Sequence, residues 1–258
     1  MKTIQKLQIS TIFLRNTIFA VMFFLFAGNA FALTDVEEGS IITFGRYPQT
    51  ASNEIKPIEW RVLEIKDNKA LLIADKGLDV VHNTNNTESE NVTWKTSSIR
   101  QWLNTVFYNT AFNEYEKSRI ATTIQKNPDN LESSTESEDE TRDLIFLLSI
   151  DDAERYFMDD TETVQKVTPY AVKRGAYLRE NLPSASFWWI KSPGLYQYYT
   201  SFVNAIGTRR LGGKRVYYVF FAIRPALWIN LQSKTQVMKP SDRNQTTESL
   251  LIKLLRRR

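Results

Sequence analysis

The sequence predicts an α+β domain in which short central helices lie between antiparallel strands at both ends. Three observations support this fold class: an alternating apolar and polar hairpin pattern over 58–74, helical apolar spacing over 96–120, and a strand-forming, aromatic-rich final third. Strands grouped at the two ends favour α+β over regular βαβ alternation. We therefore predict one domain over residues 33–232, preceded by a signal peptide over 1–32 and followed by a basic tail over 233–258.

The N-terminal part of the domain is predicted to be β structure. Residues 40–44 form a short strand that 45–48 (GRYP) would close. Residues 58–65 alternate apolar and polar side chains, the period of a half-buried strand. After a turn at 66–68 (KDN), the apolar run 70–74 returns as its partner, so the sequence predicts a β-hairpin.

The middle of the chain carries repeated helix-start signals. Residues with side-chain oxygens precede apolar positions at helical spacing, and such oxygens accept hydrogen bonds from the first free backbone N–H groups of a helix. Polar residues 83–91 and 127–142 predict loops, and 143–150 (DLIFLLSI) predicts a buried strand. The predicted starts are Thr96, Ser97 or Ser98 before Ile99, Trp102, Leu103 and Val106; Asn113 with Glu116; Ser149 or Asp151; and Thr168 before Pro169.

The final third is predicted to return to strands. Residues 187–190 form one strand, and 196–206 and 215–221 form two more, with Gly212 and Gly213 supplying the turn between them. Residues 222–231 close the domain.

The net charge of +4 is concentrated at the two ends of the chain. Lys2, Lys6 and Arg15 have no acidic counterpart in the first 32 residues, and seven basic residues after Leu231 face only Asp242 and Glu248. The part between is mildly acidic, so the isoelectric point near 9.1 does not indicate binding of nucleic acid.

The residue types exclude several kinds of chemistry. The chain has no cysteine and one histidine, His82. Disulfides, thiolate zinc sites, iron–sulfur clusters, cysteine nucleophiles and multi-histidine metal sites are therefore excluded. We predict no catalytic residues, no metal and no cofactor, and we expect His82 to be a solvated turn residue.

The first 32 residues have the three parts of a secretory signal. Basic residues precede the apolar run 17–27 (TIFAVMFFLFA), and Ala30-Phe31-Ala32 supplies the small-x-small pattern of a cleavage site. We predict cleavage after Ala32 and a secreted or envelope-located mature protein. An uncleaved anchor is the alternative, although the apolar run is shorter than the roughly 20 residues that cross a bilayer.

The tail ends in 247–258 (TESLLIKLLRRR), which places leucines on one side of a potential helix. Such a helix would contact a membrane surface peripherally or dock on a partner. A frayed, solvated tail is the alternative interpretation.

Six segments in collinear order carry a resemblance to a known family. They are 42–49 (ITFGRYPQ), 58–63 (IEWRVL), 93–104 (TWKTSSIRQWLN), 146–149 (FLLS), 188–194 (WWIKSPG) and 223–228 (IRPALW). Together they resemble DUF6273, a bacterial family of uncharacterised domains. The resemblance implies no assigned activity.

The last two segments also resemble the end of bacterial C-type-lectin-like domains, a group that includes the formylglycine-generating enzyme fold. This resemblance implies a C-type-lectin-like fold. Lys191 stands where the pattern has arginine, and lysine cannot make the same forked contact. The cysteines of copper-dependent formylglycine chemistry and the Glu-Pro-Asn or Gln-Pro-Asp motifs of calcium-dependent sugar binding are absent from the sequence.

The candidate ligand-binding residues lie on the C-terminal strands. Tryptophan and tyrosine offer large contact areas with a polar tip, and a cation beside them suits recognition. The alternative is that the tryptophan belongs to the core, the arginine closes a buried ion pair with Glu59 or Asp143, and the tyrosines cover an ordinary half-exposed sheet. The predicted residues are Trp189, Tyr198, Tyr199, Tyr217 and Arg224.

Three functions follow from these observations. The first is an exported, non-catalytic domain that recognises a protein or a glycan. The second is a metal-free envelope hydrolase that uses paired carboxylates such as Asp151-Asp152 or Asp159-Asp160. The third is a structural or assembly module, which would expose a large apolar patch and form an oligomer. The sequence by itself predicts no oligomeric state.

Overall fold

Short strands dominate the domain. The computed structural model describes residues 36–81, 92–126, 140–182 and 184–231. The strands are β1 (Ile41–Pro48), β2 (Ile55–Lys66), β3 (Lys69–Ala74), β4 (Lys76–Gly77), β5 (Ile120–Ala121), β6 (Thr123–Gln125), β7 (Thr141–Asp143), β8 (Gln165–Val167), β9 (Ala185–Ser186), β10 (Trp188–Pro193), β11 (Tyr199–Val203), β12 (Arg209–Arg215) and β13 (Ala226–Asn230).

The helices are short and lie between β4 and β9. They are α1 (Ser98–Trp102), a π-helical turn (Leu103–Phe107), α2 (Tyr108–Ala111), α3 (Glu114–Arg119), α4 (Ile150–Tyr156), α5 (Asp160–Thr163) and α6 (Pro169–Lys173).

The strands form four sheets. The largest has the order β1-β2-β3-β13-β5, and a second has the order β10-β11-β12; every pairing in both is antiparallel. A small sheet of β4, β8 and β9 contains one parallel pair, and β6 pairs with β7. The mixed helix and strand architecture with antiparallel sheets confirms the coarse fold class.

The predicted N-terminal hairpin is confirmed as β2 and β3. Asp67 and Asn68 occupy the turn with φ values of 50° and 57°. Two successive left-handed residues match the right-handed twist of a tight hairpin, and Asp and Asn tolerate this conformation.

The predicted turn at 45–48 is wrong, because β1 continues through it. The register with β2 shifts between Thr43 and Arg46. Gly45 lies in this irregularity at φ 71°, and a Cβ there would come within 2.6 Å of the Phe112 ring. Gly45, which the sequence predicts to end the strand, instead lies in a β-bulge, and the Phe112 ring packs against it.

The predicted apolar stripe of the first helix is correct only as far as Leu103. Val106 is 52% exposed, whereas Phe107 is fully buried. The π-helical turn spanning Leu103–Phe107 adds a residue to the helical repeat, which rotates the following positions. Phe107 therefore faces the core where regular spacing predicts Val106.

The predicted helix caps are confirmed. Asn113 and Glu116 form a capping box at the start of α3. Ser149, rather than Asp151, caps α4, and its partner in a second capping box is Asp152. The Thr168 side chain caps α6, which has Pro in its first turn.

The segment 143–150 is buried, as predicted, but it is not a strand. Only Asp143 belongs to a strand, β7, and a single bridge joins Phe146 to Ala226. β7 instead pairs with β6, a hairpin that the sequence does not predict.

The turn predicted at Gly212-Gly213 is wrong, because both glycines lie inside β12. The chain reverses earlier: the Asn204 side chain accepts hydrogen bonds from the N–H groups of Ile206 and Thr208, each at 3.0 Å. Gly213 has φ 72°, and a Cβ there would come within 2.7 Å of the Thr200 carbonyl oxygen. The glycine pair therefore allows a close approach to β11. Residues 216–221, predicted as a strand, follow β12 without regular structure.

Several predictions concern residues outside the described ranges. These are the signal peptide, His82 and the loop 83–91, most of the loop 127–142, and the tail after Leu231. Within the ranges that the structure describes, no helix is long and apolar enough to cross a membrane.

Candidate functional site

The segment 93–104, which contributes to the family resemblance, forms a buried structural network. Asp143 accepts hydrogen bonds from Trp94 Nε1 at 2.8 Å, Arg100 Nε at 2.6 Å and Thr141 Oγ1 at 2.8 Å. The Asn104 amide bonds the backbone on both sides, at Arg100 and at residues 144 and 145. This segment therefore joins α1 to β7 and has a structural role.

Trp189 lies in the interior. It is 1% exposed, and its ring stacks on Phe221 with centroids 3.9 Å apart and meets Phe202 edge-on. Its neighbour Trp188 is also buried, and its Nε1 donates to the Thr163 carbonyl at 3.1 Å. Both tryptophans are core residues, so Trp189 is not available to a ligand at the surface.

Arg224 is also buried, with 2% exposure. Its guanidinium carbon lies 5.1 Å from the Trp188 ring centre and 5.5 Å from the Phe157 ring centre, and Nε donates to the Ala74 carbonyl at 3.0 Å. Burial lowers the pKa of Arg224 to about 10, so the side chain stays charged at neutral pH. Aromatic faces and a carbonyl, which are favourable partners for a cation, surround this charge.

Neither ion pair considered for Arg224 is formed. Glu59 pairs with Lys76 at 2.6 Å, and Asp143 pairs with Arg100 at 2.6 Å. Arg224 lies in the core beside Trp188 and is therefore not part of a ligand-binding surface.

Lys191 is a second buried cation. Its Nζ donates to Gln125 Oε1 at 2.7 Å and lies 5.6 Å from the Phe146 ring centre. Burial lowers the pKa of this ammonium group. The hydrogen bond from Lys191 to Gln125 therefore links β10 to the β6–β7 pair, and the ammonium group is enclosed by protein.

The remaining predicted residues, Tyr198, Tyr199 and Tyr217, lie together at the surface around Arg215. The Tyr196 and Tyr198 rings are nearly parallel, at 9°, with centroids 5.7 Å apart, and Tyr199 packs edge-on against both. The Arg215 guanidinium lies 5.9 Å from the Tyr198 ring centre and 5.7 Å from that of Tyr217, whose hydroxyl accepts a hydrogen bond from it.

The aromatic contacts continue beyond Tyr217. The centroids of Tyr217 and Tyr218 are 5.6 Å apart, and those of Tyr218 and Phe220 are 5.3 Å apart. Phe220 contacts Tyr177, which stacks on Phe187 at 4.7 Å. All of these rings are exposed or half-buried. We call the set the aromatic surface; its members are Tyr177, Phe187, Tyr196, Tyr198, Tyr199, Arg215, Tyr217, Tyr218 and Phe220.

Backbone hydrogen bonds hold the aromatic surface in place. The N–H groups of Gly194 and Val216 donate to the carbonyls of Tyr199 and Tyr198 at 2.9 and 3.0 Å. The Tyr177 N–H donates to the Phe220 carbonyl at 2.9 Å. The tyrosines are thus presented by a fixed backbone, which lowers the entropy lost on binding.

The structure brings together three of the five predicted residues and separates the other two from them. Tyr198, Tyr199 and Tyr217 belong to the aromatic surface, whereas Trp189 and Arg224 lie in the core. Tyr196 and Arg215 are members that the sequence analysis missed. The repeated tyrosines over 196–199 and the arginine two residues before Tyr217 were the available signals.

Most of the carboxylates in the pairs of the hydrolase hypothesis have structural roles. Asp152 accepts a hydrogen bond from the Ser149 N–H, Asp159 caps α5, and Asp160 pairs with Arg209 at 3.8 Å. Hydrogen bonds from Thr161 and Glu162 lower the pKa of Asp159. These contacts account for three of the four carboxylates without a catalytic role.

An open groove of about 540 Å³ lies beside β1, β2 and β8. It contains one carboxylate, Glu59, which is paired with Lys76, so it lacks the two carboxyl groups that acid–base hydrolysis needs. Among the described residues, no group of three His, Cys, Asp or Glu side chains could hold a metal ion. The groove is lined by Thr43, Gln49, Thr50, Lys56, Pro57, Glu59, Lys76, Lys166, Val167, Thr168, Pro169 and Ser184.

Comparison with known proteins identifies a family. A family model described as a domain of unknown function, DUF6273, matches residues 67–231. Neither a curated protein nor a solved structure matches the chain. The matched region runs from the β2–β3 turn to the end of β13, and it therefore includes the buried network and the whole aromatic surface. Because the match covers more than half of the sequence, the chain belongs to the DUF6273 family.

Proposed function

We propose that this domain is a non-catalytic binding module that recognises its ligand, a glycan or a protein, on the aromatic surface. The observation that supports the proposal is the packing of Tyr196, Tyr198, Tyr199 and Tyr217 around Arg215 at the surface. Tyrosine and arginine are enriched where proteins bind partners, because both combine a large contact area with polar groups.

The arrangement suits recognition for a second reason. Monomeric soluble proteins rarely expose contiguous apolar patches unless these serve binding. Tyr196 is 54% exposed and Tyr177 is 41% exposed, although each packs on other rings of the same surface. A ligand that covers these rings would remove apolar area from water at little cost in side-chain order.

The proposal is tested by binding of the mature domain, residues 33–258, to glycan arrays and to envelope extracts. The Tyr196→Ala/Tyr198→Ala variant is compared with wild type and with Tyr115→Ala. Tyr115 is the matched control because it lies on α3, outside the aromatic surface, and is 54% exposed, like Tyr196. Near-ultraviolet circular dichroism establishes that each variant is folded.

The expected result is a specific ligand whose affinity falls at least about tenfold in the folded double variant and is unchanged in Tyr115→Ala. Equal affinities in all three proteins would overturn the proposal.

The assembly-module hypothesis is a second candidate, because the same surface could bind a second copy of the chain. Analytical ultracentrifugation of wild type and the double variant distinguishes the two. A dimer that Tyr196→Ala/Tyr198→Ala dissociates, with no ligand found, would assign the surface to self-association instead.

The C-type-lectin-like fold also belongs to the proposal. The two segments that resemble such domains pack together: β10 and the stretch before β13 are joined by a parallel bridge between Trp188 and Ala222. An experimental structure compared with known C-type-lectin-like domains would test this assignment.

We further propose that residues 1–32 direct export to the envelope or the medium and that the tail contacts the membrane surface peripherally. N-terminal sequencing of the protein purified from its native cells tests the first point, and Leu33 is the expected first residue. Flotation of residues 33–258 and 33–232 with anionic vesicles tests the second. Equal recovery of the two proteins would exclude a role for the tail.

A further inference from the structure

We infer that the ligand of the aromatic surface is an acidic polysaccharide, in which sugar rings lie on the tyrosines and carboxylate or sulfate groups bind the cations of β12. This inference rests on the proposed binding function and names its ligand class.

The first observation is the charge of the C-terminal part of the domain. Residues 181–231 contain six lysines and arginines but no Asp or Glu. Two of these cations, Lys191 and Arg224, are buried, and Arg209 pairs with Asp160. The other three, Arg210, Lys214 and Arg215, all belong to β12, whereas the folded part as a whole is mildly acidic.

The second observation is that two of these cations are available to a ligand. Arg210 and Lys214 are exposed, and within the described part of the chain neither forms an ion pair. Asp160 of α5, which approaches β12, is paired with Arg209, and residues 181–231 contain no acidic residue, so this strand is a local positive patch on a mildly acidic domain. Such a patch attracts anions and orients them before contact.

The third observation is the position of Arg215. Its cross-strand partner is Tyr199, and its guanidinium lies within 6 Å of the ring centres of Tyr198 and Tyr217. The Tyr198 and Tyr217 rings hold this guanidinium between them, next to Lys214 in the strand that also carries Arg210. Ring, cation and ring thus occur in sequence across the surface.

The ring geometry favours a glycan over an acidic peptide. The Tyr196 and Tyr198 rings are stacked, 9° from parallel with centroids 5.7 Å apart, and Tyr196 is 54% exposed. The exposed Tyr196 ring, held by its stacked neighbour, offers a flat apolar face that fits the C–H face of a pyranose, whereas a peptide hot spot requires a recess that encloses a side chain. An acidic polysaccharide supplies both a flat C–H face and an anion in a short repeat.

The test measures affinity of residues 33–258 for polygalacturonate, alginate, hyaluronate and heparin, with neutral dextran as the uncharged comparison. An acidic peptide and a single-stranded oligonucleotide are measured as anions of other classes. The Arg210→Gln/Lys214→Gln/Arg215→Gln variant removes the β12 cations. Lys66→Gln/Lys126→Gln/Lys166→Gln is its matched control, because these three lysines are exposed, lie outside the aromatic surface and give the same change in net charge. Tyr196→Ala/Tyr198→Ala reports separately on the rings.

The expected result is binding to at least one acidic polymer, weakened about tenfold or more in the β12 variant and less than about threefold in the control. The Tyr196→Ala/Tyr198→Ala variant should also lose affinity. Raising the salt concentration from about 0.05 to about 0.5 M screens ionic contacts, so it should weaken binding by the wild type more than binding by the β12 variant.

Three outcomes would overturn the inference. Binding to none of the acidic polymers, or equal binding to dextran, contradicts it while leaving the proposed function intact if the tyrosine variant still loses another ligand. Tighter binding of an acidic peptide or of single-stranded oligonucleotide than of every polysaccharide would reassign the ligand class. If both variants bind every ligand with the affinity of the wild type, both this inference and the proposed function are rejected.

Discussion

Asp143 and Arg100 are 43 residues apart in sequence, yet Arg100 Nε donates to Asp143 Oδ1 at 2.6 Å. The Asp143 side chain is completely buried, and it also accepts hydrogen bonds from Trp94 and Thr141. A buried carboxylate is tolerated only when its oxygens are paired in this way. The contact therefore fixes α1 against β7.

We predict that Asp143→Ala destabilises the domain by about 3 kcal/mol or more, because three donors lose their acceptor and the half-buried Arg100 loses its counter-charge. The measurement is the free energy of unfolding in urea. Asp151→Ala is the control, since Asp151 is exposed on α4, and it should change stability by less than about 0.5 kcal/mol. A change in Asp143→Ala as small as that in the control would show that the network is not required.

Gly45 and Gly39 give a matched pair for the bulge in β1. Both have positive φ, 71° and 82°, so alanine at either position costs about 1–2 kcal/mol of backbone energy. A Cβ at Gly45 would also lie 2.6 Å from the Phe112 ring, whereas a Cβ at Gly39 meets nothing within 4 Å. We predict that Gly45→Ala lowers the free energy of unfolding by about 1–3 kcal/mol more than Gly39→Ala. Equal losses would mean that the Phe112 ring moves aside freely.

Trp189 provides a test of the division between core and surface. We predict that Trp189→Ala lowers the free energy of unfolding by about 3–5 kcal/mol, because its ring is buried against Phe221 and Phe202. Tyr196→Ala, at an exposed position, should cost less than about 1 kcal/mol. Thermal and urea unfolding of both variants checks the prediction. A Trp189→Ala protein as stable as wild type would place this residue outside the core.

The burial of Lys191 predicts that the free energy of unfolding depends on pH in the alkaline range. Burial lowers the pKa of its ammonium group below the ordinary 10.5, which the unfolded chain regains. Between the two pKa values the unfolded state binds more protons, so the stability of the wild type increases as the pH rises towards 10.5. Lys191→Met removes this dependence.

The measurement is the difference in free energy of unfolding between wild type and Lys191→Met, followed from neutral pH to about 10.5. The difference should be constant well below the lowered pKa and should then shift in favour of wild type as the pH rises. Lys166→Met, which removes an exposed lysine, serves as the control titration. A difference that stays constant to the end of the range would contradict the burial of a charged Lys191.

Local features of the fold follow from the sequence because they depend on near neighbours. The Asn113–Glu116 capping box and the Ser149 cap involve residues three positions apart, and the β2–β3 hairpin turns on two adjacent residues. The predictions fail where a distant residue decides the outcome. Gly45 lies inside a strand because Phe112 packs over it, and Gly213 lies inside β12 because it approaches Thr200.

The candidate site divides in the same way. The sequence prediction placed Tyr198, Tyr199 and Tyr217 on neighbouring C-terminal strands, and they lie close together because β11 pairs with β12 in a register that sets Tyr199 opposite Arg215. Trp189 and Arg224 are the same residue types as those enriched in binding sites, and composition does not distinguish a buried cation between rings from an exposed one.

The sequence by itself determined the family, the mixture of helices and antiparallel strands, the helix caps and the exclusion of cysteine and multi-histidine chemistry. These properties depend on residue type and on short spacings. The tertiary structure decided which aromatic residues are buried and which are exposed, and it placed Arg215 between Tyr198 and Tyr217. The physical reason is that burial and the pairing of a cation with a ring result from packing between segments far apart in the chain.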